Sequence, residues 1–314
     1  MPTEAPDSPF KALLEHDLLK YWLSNTTSPN TREAKRGDLQ EFILALKIRS
    51  IEDFKGIQRP DIIEWRDSLA AGQDKPGYAI RSIKRKMSTI AKLFRHLSDQ
   101  RFIDVNPALD VDRPKLTANE GVTSIISNDQ ARKLINTPDP ATLKGKRDRA
   151  ILEVFLFHAL RRSEVLQLRL KDIQEREGIK TFYIKGKGDK ERYVEISPSA
   201  IRRINEYLAA LGNPTDPERP LFGSLSNNGK NTPRPLTPNA IYQLIVNYAE
   251  KAEIDTTHFS PHSLRATAGT NALKNGVDIR KVQHWMGHSS VQTTAMYDKR
   301  DNQPEDSPTY SVKY

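Results

Sequence analysis

Residues 77–98 carry Ile80, Ile83, Met87, Ile90, Leu93, Phe94 and Leu97 at spacings of three and four, the repeat of one face of an α-helix. A strand would scatter these side chains over both faces, so the segment has one solution: a long helix with a single buried stripe. The sequence upstream obeys the same period. Apolar residues recur at helical spacing over 16–23. Ser28-Pro29-Asn30-Thr31 then supplies a capping serine and a first-turn proline to a helix presenting Leu39, Phe42, Ile43 and Leu46. Another helix opens after Pro60 with Asp61-Ile62-Ile63-Glu64-Trp65, and Asn106-Pro107 stops the run. Residues 9–109 therefore form an all-helical unit, behind a flexible end at 1–8 that is rich in proline and acid.

Residues 110–123 hold Pro114, Gly121 and several charges without periodicity, which predicts an interdomain linker. Beyond it, Ser127-Asn128-Asp129-Gln130 caps a helix through Leu134, and Gly145 lies at the start of a longer, strongly apolar one. Further helices are predicted over 199–211 and 237–251 and, in short pieces, from Pro261 to about Lys299. Residues 181–184 and 193–196 read as strands around the turn Gly186-Lys187-Gly188-Asp189-Lys190, where glycines supply the reversal. The predicted architecture is mainly α, in two domains, the second bearing one small antiparallel β-sheet.

The formal net charge of +9 favours a polyanionic partner, because each phosphate neutralised by Lys or Arg releases condensed counterions. Between Asp74 and Arg101 lie eight Lys or Arg against two Asp; taken alone, that is the pattern of a solvated helix face. With no cysteine, the chain has no disulfide, thiolate nucleophile or Cys-ligated zinc. No basic segment followed by an apolar run opens the sequence, so no signal peptide is expected. The most apolar stretch, 150–160, contains Glu153 and His158 and is too short to span a bilayer. A cytoplasmic protein without a membrane partner is the expectation.

Four short boxes carry chemistry. In the first, Arg161 is followed by Ser163 and Glu164, a carboxylate able to hold the guanidinium rigid and aim it at an anion. The second, Gly186-Lys187-Gly188, presents a lysine on a hairpin and lacks the G-x-x-x-x-G-K-[ST] spacing of a P-loop. In the third, His262 and Arg265 stand three apart on one helix face and can reach the same phosphate. The fourth is Met286-Gly287-His288-Ser289-Ser290, with Thr293-Thr294 and then Tyr297. The pairs His284/His288 and His258/His262 have zinc-ligand spacing. However, Trp285 and Phe259 stand where the metalloprotease pattern needs Glu, so no metal is expected. Singly, each box has an ordinary reading as a surface ion pair or a core histidine.

Together and in this order, the boxes resemble the tyrosine recombinase/integrase family, of the phage-integrase type and Xer-like. The family's T-G-x-R-x-S-E-L keeps Arg161, Ser163 and Glu164, with His158-Ala159 where Thr-Gly is common. Its G-K-G-x-K-x-R is met in full by residues 186–192 and its H-x-L-R by 262–265. Its L-G-H-S-S-x-x-T-T-x-x-Y is met by 286–297, with Met286 for Leu. The resemblance implies a site-specific DNA recombinase that cuts and rejoins strands through a 3′-phosphotyrosyl bond to Tyr297, in integration, excision or resolution. Arg161, Arg265 and His288 would then stabilise the phosphorane, His262 would take the phenolic proton, and Lys187 would protonate the leaving 5′-oxygen, with Glu164 bracing Arg161. The phosphotyrosyl bond keeps the phosphoester energy, so neither ATP nor a metal nor any other cofactor is implied.

The same resemblance implies a helical, SAM-like core-binding domain (9–109) joined through 110–123 to an α-rich catalytic domain (124–298), the two clamping duplex DNA. It gives the basic helix a DNA-facing role, with Arg81, Lys84, Arg85 and Lys92 as candidate contacts. Two cuts on each of two duplexes imply a homo-tetramer on DNA, a dimer per site on inverted half-sites, with accessory proteins as further partners. In the tail, 299–314, Tyr310, Val312 and Tyr314 fall on one face of a potential strand, which is expected to dock on a neighbouring protomer. Two alternatives stay open. A type IB topoisomerase shares the chemistry without exchanging partners, and a catalytically silent DNA-binding protein shares the fold; strand exchange and a covalent adduct test separate them.

Overall fold

The computed structural model describes residues 9–71, 77–115, 124–186, 190–226 and 231–298. Lys187 and the tail expected to dock in trans lie outside the described residues. The chain divides into two compact units, Met1–Val122 and Thr123–Tyr314.

The first unit contains α1 (Pro9–Glu15), α2 (Asp17–Ser24), α3 (Pro29–Ala45), α4 (Arg59–Ala71) and α5 (Ile80–Asp99), with a 3-10 turn at Glu52–Gly56. The Ser28 side chain accepts from the Thr31 amide, satisfying one of the donors that a helix start leaves bare. Leu39 and Phe42 of α3, Ile62 and Trp65 of α4, and Ile90 and Phe94 of α5 meet in the core. There Phe42 sets its ring edge-on to Trp65 and Phe94, at 4.9 and 5.9 Å. α5 starts three residues later than the periodicity suggests. Gly77 is pressed against α4, where a Cβ would sit 2.0 Å from the Ala70 oxygen, and the Tyr78 amide donates to Leu69 O at 2.8 Å. The helical run also stops earlier than Asn106-Pro107, because Arg101 turns left-handed at φ 57°.

The basic residues of α5 divide between two faces. Arg81, Arg85 and Lys92 are exposed and Lys84 is half-buried, whereas Lys86 points inward. Lys86 pairs with Glu41 and, at 3.5 Å, with buried Asp38, and lies over the Tyr78 ring at 4.4 Å. Asp38 also accepts from Arg85 at 2.5 Å and Thr89 at 2.9 Å. A buried carboxylate is tolerable only when its lone pairs are met in this way, and the cluster bolts α3 to α5.

The second unit contains α6 (Asn128–Asn136), α7 (Leu143–His158), α8 (Arg162–Gln167), α9 (Pro198–Ala210), α10 (Pro238–Lys251), α11 (Pro261–Lys274), α12 (Ile279–Met286) and α13 (Val291–Ala295). Every residue of α7 from Ala150 to Phe155 is buried, so this stretch has no solvent stripe and forms the spine of the unit. It packs against both α9 and α11. The glycine turn predicts one hairpin, and two sheets are found. β1 (Ile173–Arg176), β2 (Ile179–Lys185) and β3 (Glu191–Glu195) form a three-stranded antiparallel sheet; β4 (Gly223–Leu225) and β5 (Asn231–Pro235) form a separate pair. β1 (Ile-Gln-Glu-Arg) shows no alternation, and β5 contains Pro233 and Pro235, which only an edge strand accommodates. Among the described residues no helix is long and apolar enough to cross a membrane.

Candidate active site

Helix α7 ends abruptly at Ala159, whose φ of 47° and ψ of 32° are left-handed. Glycine takes this conformation freely, whereas alanine is strained there by about 1–2 kcal/mol. The reversal starts α8 within two residues and turns the Ala159 carbonyl to the guanidinium of Arg265, from which it accepts a hydrogen bond. Arg161 is the N-cap of α8. The Glu164 carboxylate reaches back to the Arg161 amide at 2.7 Å and takes Nη1 of its side chain at 2.8 Å. Nη2 of Arg161 donates to the carbonyl of Gly287.

Glu164 is buried and shared, because Arg192 donates Nη1 and Nη2 to its two oxygens at 3.0 and 2.8 Å. Burial pushes the Glu164 carboxyl upward, but hydrogen bonds and charge from Arg192 and Arg161 outweigh it and hold the group below its ordinary pKa. Arg192 stands on β3 and also donates Nε to Trp285 O at 3.1 Å. Gly287 caps α12 at φ 66°, and a Cβ there would lie 3.0 Å from the Arg192 Cζ. Both the backbone angle and the close approach therefore favour glycine.

From α11, His262 is exposed in the first turn, and Arg265 is buried one turn on. Arg265 donates Nη2 to Met286 O at 2.7 Å and lies 2.9 Å from Nε2 of His288. A guanidinium has only donors, so Nε2 of His288 must accept, and its Nδ1–H then donates to Thr294 Oγ1 at 2.9 Å. Burial, and then the charges of Arg265 and Arg161, lower the His288 pKa to about 4. Burial first, and Arg161 second, also lower that of Arg265, to about 10, which leaves it charged at neutral pH.

Tyr297 follows α13 and is 7% exposed. Its ring stacks on His288 at 5.7 Å and 16°, and its hydroxyl lies 3.1 Å from His262 Nε2. Gly269 makes room on the other side, since a Cβ there would be 2.9 Å from Met286 Sδ and 3.8 Å from Tyr297 Cγ. Burial raises the phenol's pKa and the two arginines pull against it, with the net result above the ordinary value. The phenol is therefore not ionised in advance and needs a base to become a nucleophile.

Arg161, Glu164, His262, Arg265, His288 and Tyr297 thus converge on one corner, whereas Arg81, Lys84, Arg85 and Lys92 belong to α5 of the first unit. Such a corner can offer a phenol oxygen beside a base and, next to it, two guanidiniums suited to a phosphoryl group. Sequence reasoning missed Arg192 and Thr294 as members of the site. The signal for each was present, in the final Arg of G-K-G-x-K-x-R and in the second Thr before Tyr297.

Against known proteins, the phage integrase family matches residues 124–303, and the phage integrase N-terminal SAM-like domain matches residues 17–101. Tyrosine recombinase XerD of Pseudomonas aeruginosa is 34% identical over 295 residues, covering 90% of this chain and 93% of its own. Tyrosine recombinase XerC of Oceanobacillus iheyensis is 29% identical over 279 residues, covering 88% and 87%. Among solved structures, a lambda integrase (75–356) dimer bound to a COC′ core site is similar with a TM-score of 0.70 at 14% identity, covering 93% of this chain and 99% of that one. XerH recombinase in a post-cleavage complex with its palindromic difH substrate gives 0.68 at 21%, covering 85% and 75%. At these identities the structural likeness concerns the fold, mainly α with a SAM-like first domain and small antiparallel sheets.

Proposed function

The chain belongs to the phage integrase family of tyrosine recombinases, and on that premise we propose that Tyr297 is its nucleophile, served by Arg161, His262, Arg265 and His288. The chain is an enzyme of site-specific recombination, breaking and rejoining DNA through a tyrosine. The observation that carries the residue assignment is the 3.1 Å approach of the Tyr297 hydroxyl to His262 Nε2, within reach for proton transfer. As the phenol oxygen attacks the scissile phosphorus, His262 takes its proton. The new P–O bond makes a 3′-phosphotyrosine, and the bond to the 5′-oxygen breaks. Lys187, which the sequence places between β2 and β3, gives that oxygen its proton. Attack by a 5′-hydroxyl from the partner duplex reverses the steps, and the phosphoester energy is conserved throughout.

Charge on the non-bridging oxygens is met by Arg161 and Arg265, whose bonds to carbonyls and Glu164 fix them before substrate arrives. His288 fits its expected donor role less directly. Its Nε2 lone pair faces Arg265, so it orients that guanidinium, and it donates to a phosphate only after taking up a proton there.

The assembly follows from the same premise. Residues 9–109 serve as the core-binding domain, 110–123 as linker and 124–298 as catalytic domain, and the exposed arginines and lysines of α5 touch duplex DNA. Inverted half-sites each take one protomer and two sites make a tetramer, with accessory proteins as further partners; the work is done in the cytoplasm. The net charge of +9 supports the DNA grip. The deciding experiment is Tyr297→Phe on a nicked suicide substrate. DNA binding should persist while the SDS-stable adduct disappears; an adduct in that variant would move the nucleophile to another residue.

A further inference from the structure

One buried arginine takes no part in bond making or breaking. Arg192 pairs in register with Ile184 near the end of the β2–β3 ladder and is 7% exposed. All three of its side-chain nitrogens are committed: Nε to Trp285 O at 3.1 Å, and Nη1 and Nη2 to the two oxygens of Glu164 at 3.0 and 2.8 Å. Glu164 is the group that holds the amide and Nη1 of Arg161. The other support of Arg161 is the Gly287 carbonyl, and Gly287 lies so near the Arg192 guanidinium that an added Cβ would be 3.0 Å from its Cζ. Arg192 therefore binds one support of Arg161, Glu164, and borders the other, Gly287, which is also the residue that precedes His288.

We propose that Arg192 is a positioning residue for strand cleavage: it occupies Glu164 from behind so that Arg161 keeps donors for the phosphate, and it fixes the hairpin against the Gly287-His288 corner. The physical reason is competition. A carboxylate prefers two parallel bonds from one guanidinium fork. With Arg192 in place, Arg161 gives Glu164 a single side-chain nitrogen. Without Arg192, both oxygens of a buried Glu164 would turn to Arg161, the charge left nearest, and draw its fork away from the substrate. Lysine cannot replace the fork, because one ammonium cannot hold both oxygens and the Trp285 carbonyl in the same plane. The inference rests on Arg161 being a phosphate ligand.

The test uses the full chain with Arg192→Lys, which keeps the charge beside Glu164 and removes the fork. Half-site binding by gel shift should match the wild type. Single-turnover cleavage of a nicked suicide substrate at saturating protein should fall about tenfold to a hundredfold, the scale typical of a lost supporting group. The same measurement on a scissile methylphosphonate separates positioning from damage. There a neutral methyl replaces one charged oxygen, so a misplaced guanidinium matters less, and the gap between variant and wild type should close. Arg161→Ala runs beside it. Wild-type cleavage by Arg192→Lys, or an equal gap on both substrates while that of Arg161→Ala closes, overturns the role of Arg192 alone. If the Arg161→Ala gap does not close either, the assignment of Arg161 to the phosphate fails first and the inference fails with it. Should Arg192→Lys not fold, Arg192→Gln, which keeps a donor for Glu164, takes its place on both substrates, and the same outcomes support or overturn the role.

Discussion

Buried His158 should make the second unit acid-sensitive over a calculable window. The ring is 1% exposed and lies edge-on to Phe182 at 5.4 Å. Its Nε2 accepts from the Ser197 amide at 3.0 Å, which places the proton on Nδ1, where it donates to Val154 O at 3.1 Å. A second proton would set N–H against N–H in a buried site. Burial lowers the pKa from 6.5 to about 4, against a smaller upward pull from the bond to Val154. Between those values the unfolded chain binds a proton that the folded chain refuses, so stability falls as pH falls, by about 1.4 kcal/mol per pH unit. The stability is fully present above pH 6.5. By about pH 4 the loss amounts to roughly 3 kcal/mol, and it does not grow further below. His288, also lowered to about 4 but half-exposed, adds a lesser loss in the same window. His158→Leu isolates the first contribution: it leaves the Ser197 amide unsatisfied at every pH, but it removes the proton. Native-state hydrogen exchange of the α7 amides, read as opening free energy, should show wild type and variant converging by that amount from pH 7 to pH 4. Parallel curves would refute the reasoning.

Other outcomes are as direct. Lys187→Ala should cleave ordinary DNA slowly and recover on a substrate with sulfur as the 5′-bridging atom, which leaves without protonation; equal defects on both would remove it from the acid role. Gly287→Ala should lower the melting temperature, combining about 1–2 kcal/mol of left-handed strain with a Cβ pressed on Arg192, and should slow cleavage beyond what that melting loss explains. Deleting residues 304–314 should leave single half-site binding intact while weakening cooperative filling of the second half-site and recombination; unchanged cooperativity in gel shifts would make the tail a frayed end.

What the sequence disclosed depended on how far apart the interacting residues lie. Caps act over three residues, so Ser28 and Ser127 marked the starts of α3 and α6 correctly. β1 and β5 are made by cross-strand pairing, and their own residues carry no strand pattern. Lys86 looked like part of a solvated face because its partners, Asp38 and Glu41, belong to another helix. The order of the boxes pointed to the corner where Arg161, His262, Arg265, His288 and Tyr297 meet, but not to the fork of Arg192 on Glu164, 28 residues away. The tautomer of His288 likewise depends on a guanidinium that only the fold brings near.

The burial of α7 from Ala150 to Phe155 fixes more than its composition. Arg161 follows the C-terminal end of a helix whose middle turns are packed on all sides, while the carbonyl it donates to belongs to Gly287 on a different element. One residue inserted between Ala150 and Phe155 would turn one end against the other by about 100° and lengthen the helix by about 1.5 Å. No adjustment of the α8 turn could return the guanidinium to Gly287. Side chains along α7 can therefore be exchanged for others of like volume as sequences diverge, but its residue count cannot drift. Insertions and deletions among relatives should be absent from α7 and gather in the connections around it.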